Sequence, residues 1–458
     1  MEVDTEPALT DGDAANFAEK DATAATDQVS EKAPAEPEAR GLSRLARTIS
    51  RTSTRNDPGP PPDGGAKAWT QVVCAHFVVA SCWGFITSFG AFQTYYTTDL
   101  GLDPSDVSWI GSLQTTLLFL VGVGSGRAMD AGYFKMLLTS GALLQVIGVM
   151  GLSVSRQYYA LILTQGLVFG LGCGLVFTPT MALLATYFAK KRSLVMGFSA
   201  IGSCTGGLIF PAIVRELLSK IGFGWTVRIL GFIMLAFNIP GIALMRTRIP
   251  PRTSGPLVEW TAFTEAPYVL FVSGMFFVFW SLYFAFYYVG SFGRNIVHLD
   301  YANSINLLMV MVGIGLPGRL IPNYIADRYF GPLQSMTPFA FLCSVMFFCW
   351  ISVSSSTSLY VFAAFYGTGS AAIQSLFPAT LSSLTEDLKK AGTRLGMGFT
   401  IVSMATLTGP PLAGALVARH GGNYLYAQLW AGCSMLLGGS LLIAARVAKV
   451  GLEVRRRV

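Results

Sequence analysis

Apolar runs of about twenty residues, separated by short polar or charged turns, recur from Trp69 to Val447. As helices at about 1.5 Å per residue, such runs cross a hydrocarbon layer of roughly 30 Å. In lipid the backbone must satisfy its own hydrogen bonds, and helices do so within each run. The pattern predicts spans at about 69–95, 107–129, 134–154, 158–188, 193–218 and 225–245. A second set follows at about 267–288, 301–326, 333–351, 359–381, 395–418 and 424–447.

The polar turns repeat as well. Gly126-Arg127-Ala128-Met129-Asp130-Ala131-Gly132 lies between the second and third runs, and Gly318 leads into Ile325-Ala326-Asp327-Arg328-Tyr329-Phe330-Gly331 in the second set. Asp130 and Asp327 therefore stand in matching places. Met196-Gly197-Phe198 follows Lys190, Lys191 and Arg192, just as Met397-Gly398-Phe399 follows Lys389, Lys390 and Arg394. Such self-similarity is the mark of internal duplication. The expected fold is an all-α membrane protein of twelve transmembrane helices in two pseudo-symmetric six-helix bundles. Its parts are a disordered tail (1–65), an N-terminal bundle (66–245), a linker (246–265), a C-terminal bundle (266–447) and a basic tail (448–458).

Composition agrees with the pattern. The 458 residues are 52% hydrophobic and only 12% charged, which excludes an ordinary soluble domain. The net charge of +7 is spread over inter-helix turns and both tails. That arrangement suits orientation by the positive-inside rule and not nucleic acid binding; it places the Lys190–Arg192 turn, the Arg246, Arg248 and Arg252 linker and both termini in the cytoplasm. In the tail, Arg44, Arg47, Arg51 and Arg55 interleave with apolar and hydroxyl residues, a pattern that suits either a solvated basic tail or an anionic membrane face. The seven cysteines fall in apolar runs without metal-ligand spacing and read as small buried hydrophobes. Glycines at 166, 170, 174, 202, 206 and 207 lack a phosphate-loop context and read as helix contacts. Neither paired carboxylates nor a nucleophile and base pattern marks an enzyme, and no metal or cofactor is expected.

Pro62-Asp63-Gly64-Gly65 before Trp69, Ser108-Trp109-Ile110-Gly111-Ser112 and the Gly126–Lys135 turn together resemble the monocarboxylate porter family of the major facilitator superfamily. Trp83-Gly84-Phe85, Phe89-Gly90-Ala91-Phe92-Gln93-Thr94-Tyr95-Tyr96 and Gly409-Pro410-Pro411 are most similar to its fungal members. The resemblance implies alternating access, with two bundles rocking about a central site. It assigns a gating role to Gly126, Asp130, Gly132, Asp327 and Arg328. A carboxylate at Asp130 can also be stabilised at the positive end of a neighbouring helix. Arg319 matches the family's arginine for anionic substrates; a cation about eight residues, roughly 12 Å, inside a helix end either faces the cavity or snorkels to the interface.

The sequence also departs from that family. Gly315 stands where proton-coupled animal members carry an aspartate, and Thr87 or a neighbour stands in place of their first-helix lysine. No Asp or Glu lies securely mid-span, so proton-linked transport of lactate-like acids loses its obvious relay; coupling through His76 or a terminal carboxylate stays open, although a lone histidine in an apolar span is more often hydrogen-bonded structure. Arg319, Thr87, Trp83, Trp280, Tyr283, Tyr287 and Gln374 are the expected substrate-binding residues, and their aromatic and neutral polar character suits an amphipathic organic molecule, neutral or anionic. The expected function is efflux of a fungal secondary metabolite. Uptake of a monocarboxylate or vitamin-like anion is the alternative, and a non-transporting membrane sensor is the alternative of another class. The solute and the lipid bilayer are the expected partners, an accessory membrane protein is left open, and the plasma membrane is the expected location, with the vacuolar membrane as the alternative.

Overall fold

The computed structural model describes residues 59–251, 256–385 and 387–451. Arg44, Arg47, Arg51, Arg55, Arg252 and Arg455–Arg457 lie outside them. The described residues form helices and connecting turns, with no strand among them.

The helices follow the apolar runs. Helix α1 is Ala66–Thr87 continued by Phe89–Thr98, α2 is Pro104–Leu120 continued by Gly122–Asp130, and α3 is Phe134–Leu152. Helix α4 runs from Tyr158–Leu161 through a wider π-helical stretch, Ile162–Phe169, into Gly170–Tyr187. Arg192–Leu244 spans 53 residues, about 80 Å if straight, far more than a bilayer core. It turns at Gly222, whose φ of 75° and ψ of 169° suit a residue without Cβ; α5 precedes that turn and α6 follows it. The remaining helices are α7 (Ala266–Asn295), α8 (Tyr301–Ile325, with Ala326–Phe330), α9 (Pro332–Trp350), α10 (Ser356–Ser383), α11 (Ala391–Arg419) and α12 (Leu425–Val450).

Ten segments among the described residues are long and apolar enough to cross a membrane. One of them is the α5–α6 pair, and α10 is absent from the ten. Helix α10 is 28 residues long, and its Ser, Thr and Gly positions are largely buried against neighbouring helices. Its polarity thus faces protein.

The first six helices pack chiefly on one another, as do the last six; α2 against α11, and α5 against α8 and α10, join the two groups. Glycine makes these junctions close. A Cβ on Gly122 would meet the Gly396 backbone, one on Gly126 would meet the Gly392 carbonyl, and one on Gly197 would meet the Arg319 carbonyl. Without a hydrophobic drive between helices in lipid, such backbone approach supplies dispersion contact that larger residues would block.

Five cysteines are buried, whereas Cys349 and Cys433 are exposed, which corrects the expectation for those two. An apolar run does not reveal which face of its helix looks outward. His76 is hydrogen-bonded across helices, its two ring nitrogens lying 3.2 Å from the Phe198 carbonyl and 3.1 Å from the Thr205 hydroxyl.

Candidate functional site

The basic turns gather at one end of the molecule, and there the two duplicated aspartates do the same thing. Asp130, closing α2, accepts hydrogen bonds from the backbone N–H of Gly392 (3.1 Å) and Thr393 (2.8 Å) and from the Thr393 hydroxyl (2.8 Å), all at the start of α11. Asp327, closing α8, accepts from the N–H groups of Ser193 (3.0 Å) and Leu194 (2.8 Å) at the start of α5. Each carboxylate thus occupies the positive end of a helix in the other six-helix group. Unpaired N–H groups there make an anion favourable by about 0.3–1 kcal/mol, approaching ~2 kcal/mol where partly buried. Gly126 permits this approach. Gly132, at φ 97°, turns the chain against Pro251, where a Cβ would come within 2.8 Å of the proline ring. Arg328 is exposed and donates to the Tyr324 hydroxyl (2.9 Å) of its own helix, so its mapped contacts lie outside the junction between the groups.

A second set of carboxylates at this end was not singled out from the sequence. Asp63, in the Pro62-Asp63-Gly64-Gly65 stretch, accepts from the N–H groups of Ala189 (2.6 Å) and Lys190 (2.8 Å). Glu259, 5% exposed, accepts from Lys390 (2.6 Å) and Arg394 (3.0 Å), and Glu265 binds the same Arg394 guanidinium (2.6 Å). Burial opposes ionisation of Glu259, but the hydrogen bonds and charges of Arg394 and Lys390 outweigh it and hold the carboxyl down at about 2. The available signal was an acidic pair in an otherwise basic linker.

Midway along the helices lies a small cavity of about 30 Å³, space for roughly one water. Its walls include Trp83 from α1, Phe119 from α2, Phe177 and Met181 from α4, Phe279 from α7, Arg319 from α8, Gln374 and Phe377 from α10 and Phe399 from α11. The rings interlock: Trp83 lies 5.6 Å from both Phe119 and Phe177, and Phe399 lies 5.2 Å from Phe377. Arg319 is 4% exposed. Its guanidinium donates to the Cys204 sulfur (3.2 Å) and to the Gly315 carbonyl (3.3 Å), and no carboxylate pairs with it among the described residues. A Cβ on Gly315 would lie 2.6 Å from Nη1 of Arg319, so the absence of a side chain at 315 makes room for the charge. The Gln374 amide nitrogen is buried and unbonded.

Toward the opposite end, Tyr283 stacks on Trp83 at 6.3 Å and Tyr287 lies 3.3 Å from the Thr115 hydroxyl. Beyond these tyrosines opens a vestibule of about 550 Å³, lined by Gln93, Tyr287, Arg294, Ser304 and Tyr424 among others. The two spaces share no lining residue.

The structure brings Trp83, Arg319 and Gln374 together around the central cavity and puts Tyr283 and Tyr287 above them. Two expected members are elsewhere. Thr87 donates to the Trp83 (2.9 Å) and Gly84 (3.1 Å) carbonyls of its own helix and lines neither space. Trp280 donates to Thr408 (3.0 Å) and packs edge-on against Trp430 of α12. Helical geometry explains the second placement: one residue is a rotation of about 100°, so Phe279 lines the cavity while Trp280 turns away; Tyr283, one turn on, lines neither space and packs on Trp83 and Phe279.

The model of the Major Facilitator Superfamily matches residues 72–387. An MFS-type transporter of Gibberella zeae is 47% identical over 397 residues, covering 86% of this chain and 90% of the relative. The aspyridones efflux protein of Emericella nidulans is 34% identical over 395 residues, covering 85% and 79%. Among solved structures, a human organic anion transporter aligns with a TM-score of 0.64 at 15% identity, covering 83% of this chain and all of that one. The transporter FucP in its outward conformation aligns with 0.61 at 14% identity, covering 82% and 98%. Helices of membrane-spanning length, the duplicated aspartate clasps and these matches lead to one conclusion: the chain belongs to the Major Facilitator Superfamily and is a multi-pass membrane transporter.

Proposed function

We propose that this transporter exports an amphipathic fungal secondary metabolite, neutral or anionic, across the plasma membrane by alternating access. One observation carries the substrate class: a buried guanidinium without a carboxylate partner among the described residues, set in an aromatic-walled cavity. Rings contribute flat apolar contact, and an unpaired buried cation gains from an anion or strong acceptor. The efflux role of the Emericella relative supports the direction.

The basic end is assigned to the cytoplasm by its lysines and arginines. On this reading the Asp130 and Asp327 contacts close that end, the central cavity is small and the vestibule lies on the outer side. The two clasps together favour closure by about 2 kcal/mol, the sum of two capping carboxylates, which corresponds to about thirtyfold in population. Inward opening releases both carboxylates, admits solute to Arg319, Trp83 and Gln374, and reclosure drives it past Tyr283 and Tyr287. No Asp or Glu lines the central cavity among the described residues, so the reading uses no carboxylate relay there.

Comparative metabolite profiling of cells and medium, in strains lacking and overproducing the protein, tests the direction. Export requires a metabolite that accumulates inside on deletion and in the medium on overproduction. Depletion inside on deletion indicates uptake, and unchanged distribution of every metabolite sinks the transport reading.

A further inference from the structure

The turns that receive Asp130 and Asp327 are themselves held from behind. The turn after α4 and the first turn of α5 together offer four N–H groups to two aspartates: Ala189 and Lys190 donate to Asp63, while Ser193 and Leu194 donate to Asp327. Asp63 belongs to the lead-in of α1. Its own N–H donates to the Tyr187 carbonyl (3.2 Å), and its φ of 51° is a backbone state that aspartate tolerates better than most residues. Arg248 fastens the same lead-in by donating to the carbonyls of Gly59 and Pro60 (2.7 Å) and, at 3.0 Å, to that of Thr186 at the end of α4.

The second half repeats this with different chemistry. Glu259 and Glu265 belong to the lead-in of α7 and grip Lys390 and Arg394. Between those two cations lie Gly392 and Thr393, whose N–H groups serve Asp130. In each half, then, a lead-in carboxylate holds the turn on which the other half's aspartate lands.

We infer that Asp63 and the Glu259–Glu265 pair are positioning residues of the cytoplasmic gate. They fix the turns before α5 and α11 so that consecutive N–H groups point at Asp327 and Asp130 when the halves close. The physical reason is pre-organisation: two N–H groups converge on one carboxylate only if the turn bearing them is already ordered, and a turn released from its lead-in must lose that freedom at each closure. The inference rests on the gate reading above, so the test separates the two.

The full chain is placed in lipid nanodiscs, with exposed Cys349 and Cys433 replaced by serine. Spin labels are attached at Tyr133→Cys and Tyr329→Cys, positions 60% and 53% exposed at the basic end. Asp327→Ala is measured first; a wider label separation supports the gate, and an unchanged one overturns gate and positioning role together. Asp63→Ala is then expected to lower the closed-to-open ratio by about fivefold, the population equivalent of one lost capping carboxylate. Asp63→Asn, which keeps an acceptor oxygen, restores most of it. In the double variant Asp63→Ala with Asp327→Ala the separation widens no further than with Asp327→Ala alone. Wild-type separations in Asp63→Ala, or effects that simply add, overturn the positioning role while leaving the gate intact. If Asp63→Ala fails to fold, Glu259→Gln with Glu265→Gln, measured with and without Asp130→Ala, makes the same test in the other half.

Discussion

Replacing Arg319 by glutamine should have opposite effects on stability and on transport, and the structure supplies both signs. The guanidinium is 4% exposed, bonded to a sulfur and a carbonyl, with no carboxylate opposite it among the described residues. Desolvating an ion carries a penalty of several kcal/mol that no counter-charge repays here, so removing it leaves no orphaned partner. The thermal midpoint of Arg319→Gln should equal or exceed that of the wild type. Binding goes the other way. A solute carboxylate about 4 Å from the cation gains about 4 kcal/mol at an effective dielectric near 20. Desolvation of that carboxylate takes back part, leaving the ~1.5–3 kcal/mol typical of a hydrogen bond to a charged group. That is about 10- to 100-fold in KM. The assay is flux into proteoliposomes of an acidic metabolite identified by profiling, with its neutral methyl ester as control. The acid should lose 10- to 100-fold, by that same estimate of about 1.5–3 kcal/mol, and the ester little. Wild-type flux of the acid, or a large fall in the thermal midpoint with equal loss of both compounds, refutes the reasoning.

Three further outcomes follow from the same structure. Gly126→Val puts a branched side chain where even a Cβ meets the Gly392 carbonyl, so α2 and α11 cannot close; label separation at the basic end should widen and, because the bundles rock about a central site, that at the vestibule end should narrow. Glu259 has its carboxyl lowered from 4.5 to about 2, so its stabilising contribution, on the order of 3 kcal/mol, is full above pH ~4.5 and fades as pH falls toward ~2. Thermal midpoints of wild type and Glu259→Gln, compared from neutral pH downward, should therefore differ most above ~4.5 and converge in acid. Trp83→Ala should reduce flux strongly, because its ring walls the cavity against Phe119 and Phe177; Trp280→Ala, packed on Trp430, should leave substrate KM within about twofold, as a surface-facing change would.

Asp130 and Asp327 were legible as a duplicated pair because each falls in the polar turn after the second apolar run of its set, and the helix N-terminus they seek is a local property of any helix. Their partners were not. Gly392, Thr393, Ser193 and Leu194 contribute backbone N–H groups, which every non-proline residue carries, so nothing in residue type marks them. Asp63 was visible within its signature but without a contact, and the Glu259–Arg394 pair joins residues far apart in the chain. Thr87 and Trp280 were misplaced for a related reason. A long apolar helix carries little amphipathic signal, so the face it turns to the cavity cannot be read from its own pattern.

Sequence alone determined the number and order of apolar runs, their duplication and the charge of the turns, because insertion in lipid depends on the length and hydropathy of each run taken singly. Tertiary structure decided which face of each helix looks inward, that Arg319 sits in an aromatic cavity with no carboxylate partner among the described residues, and that five carboxylates hold contacts at one end. Those outcomes depend on backbone approach at glycine contacts between distant helices, and close packing is a property of the assembled bundle and not of any segment in it.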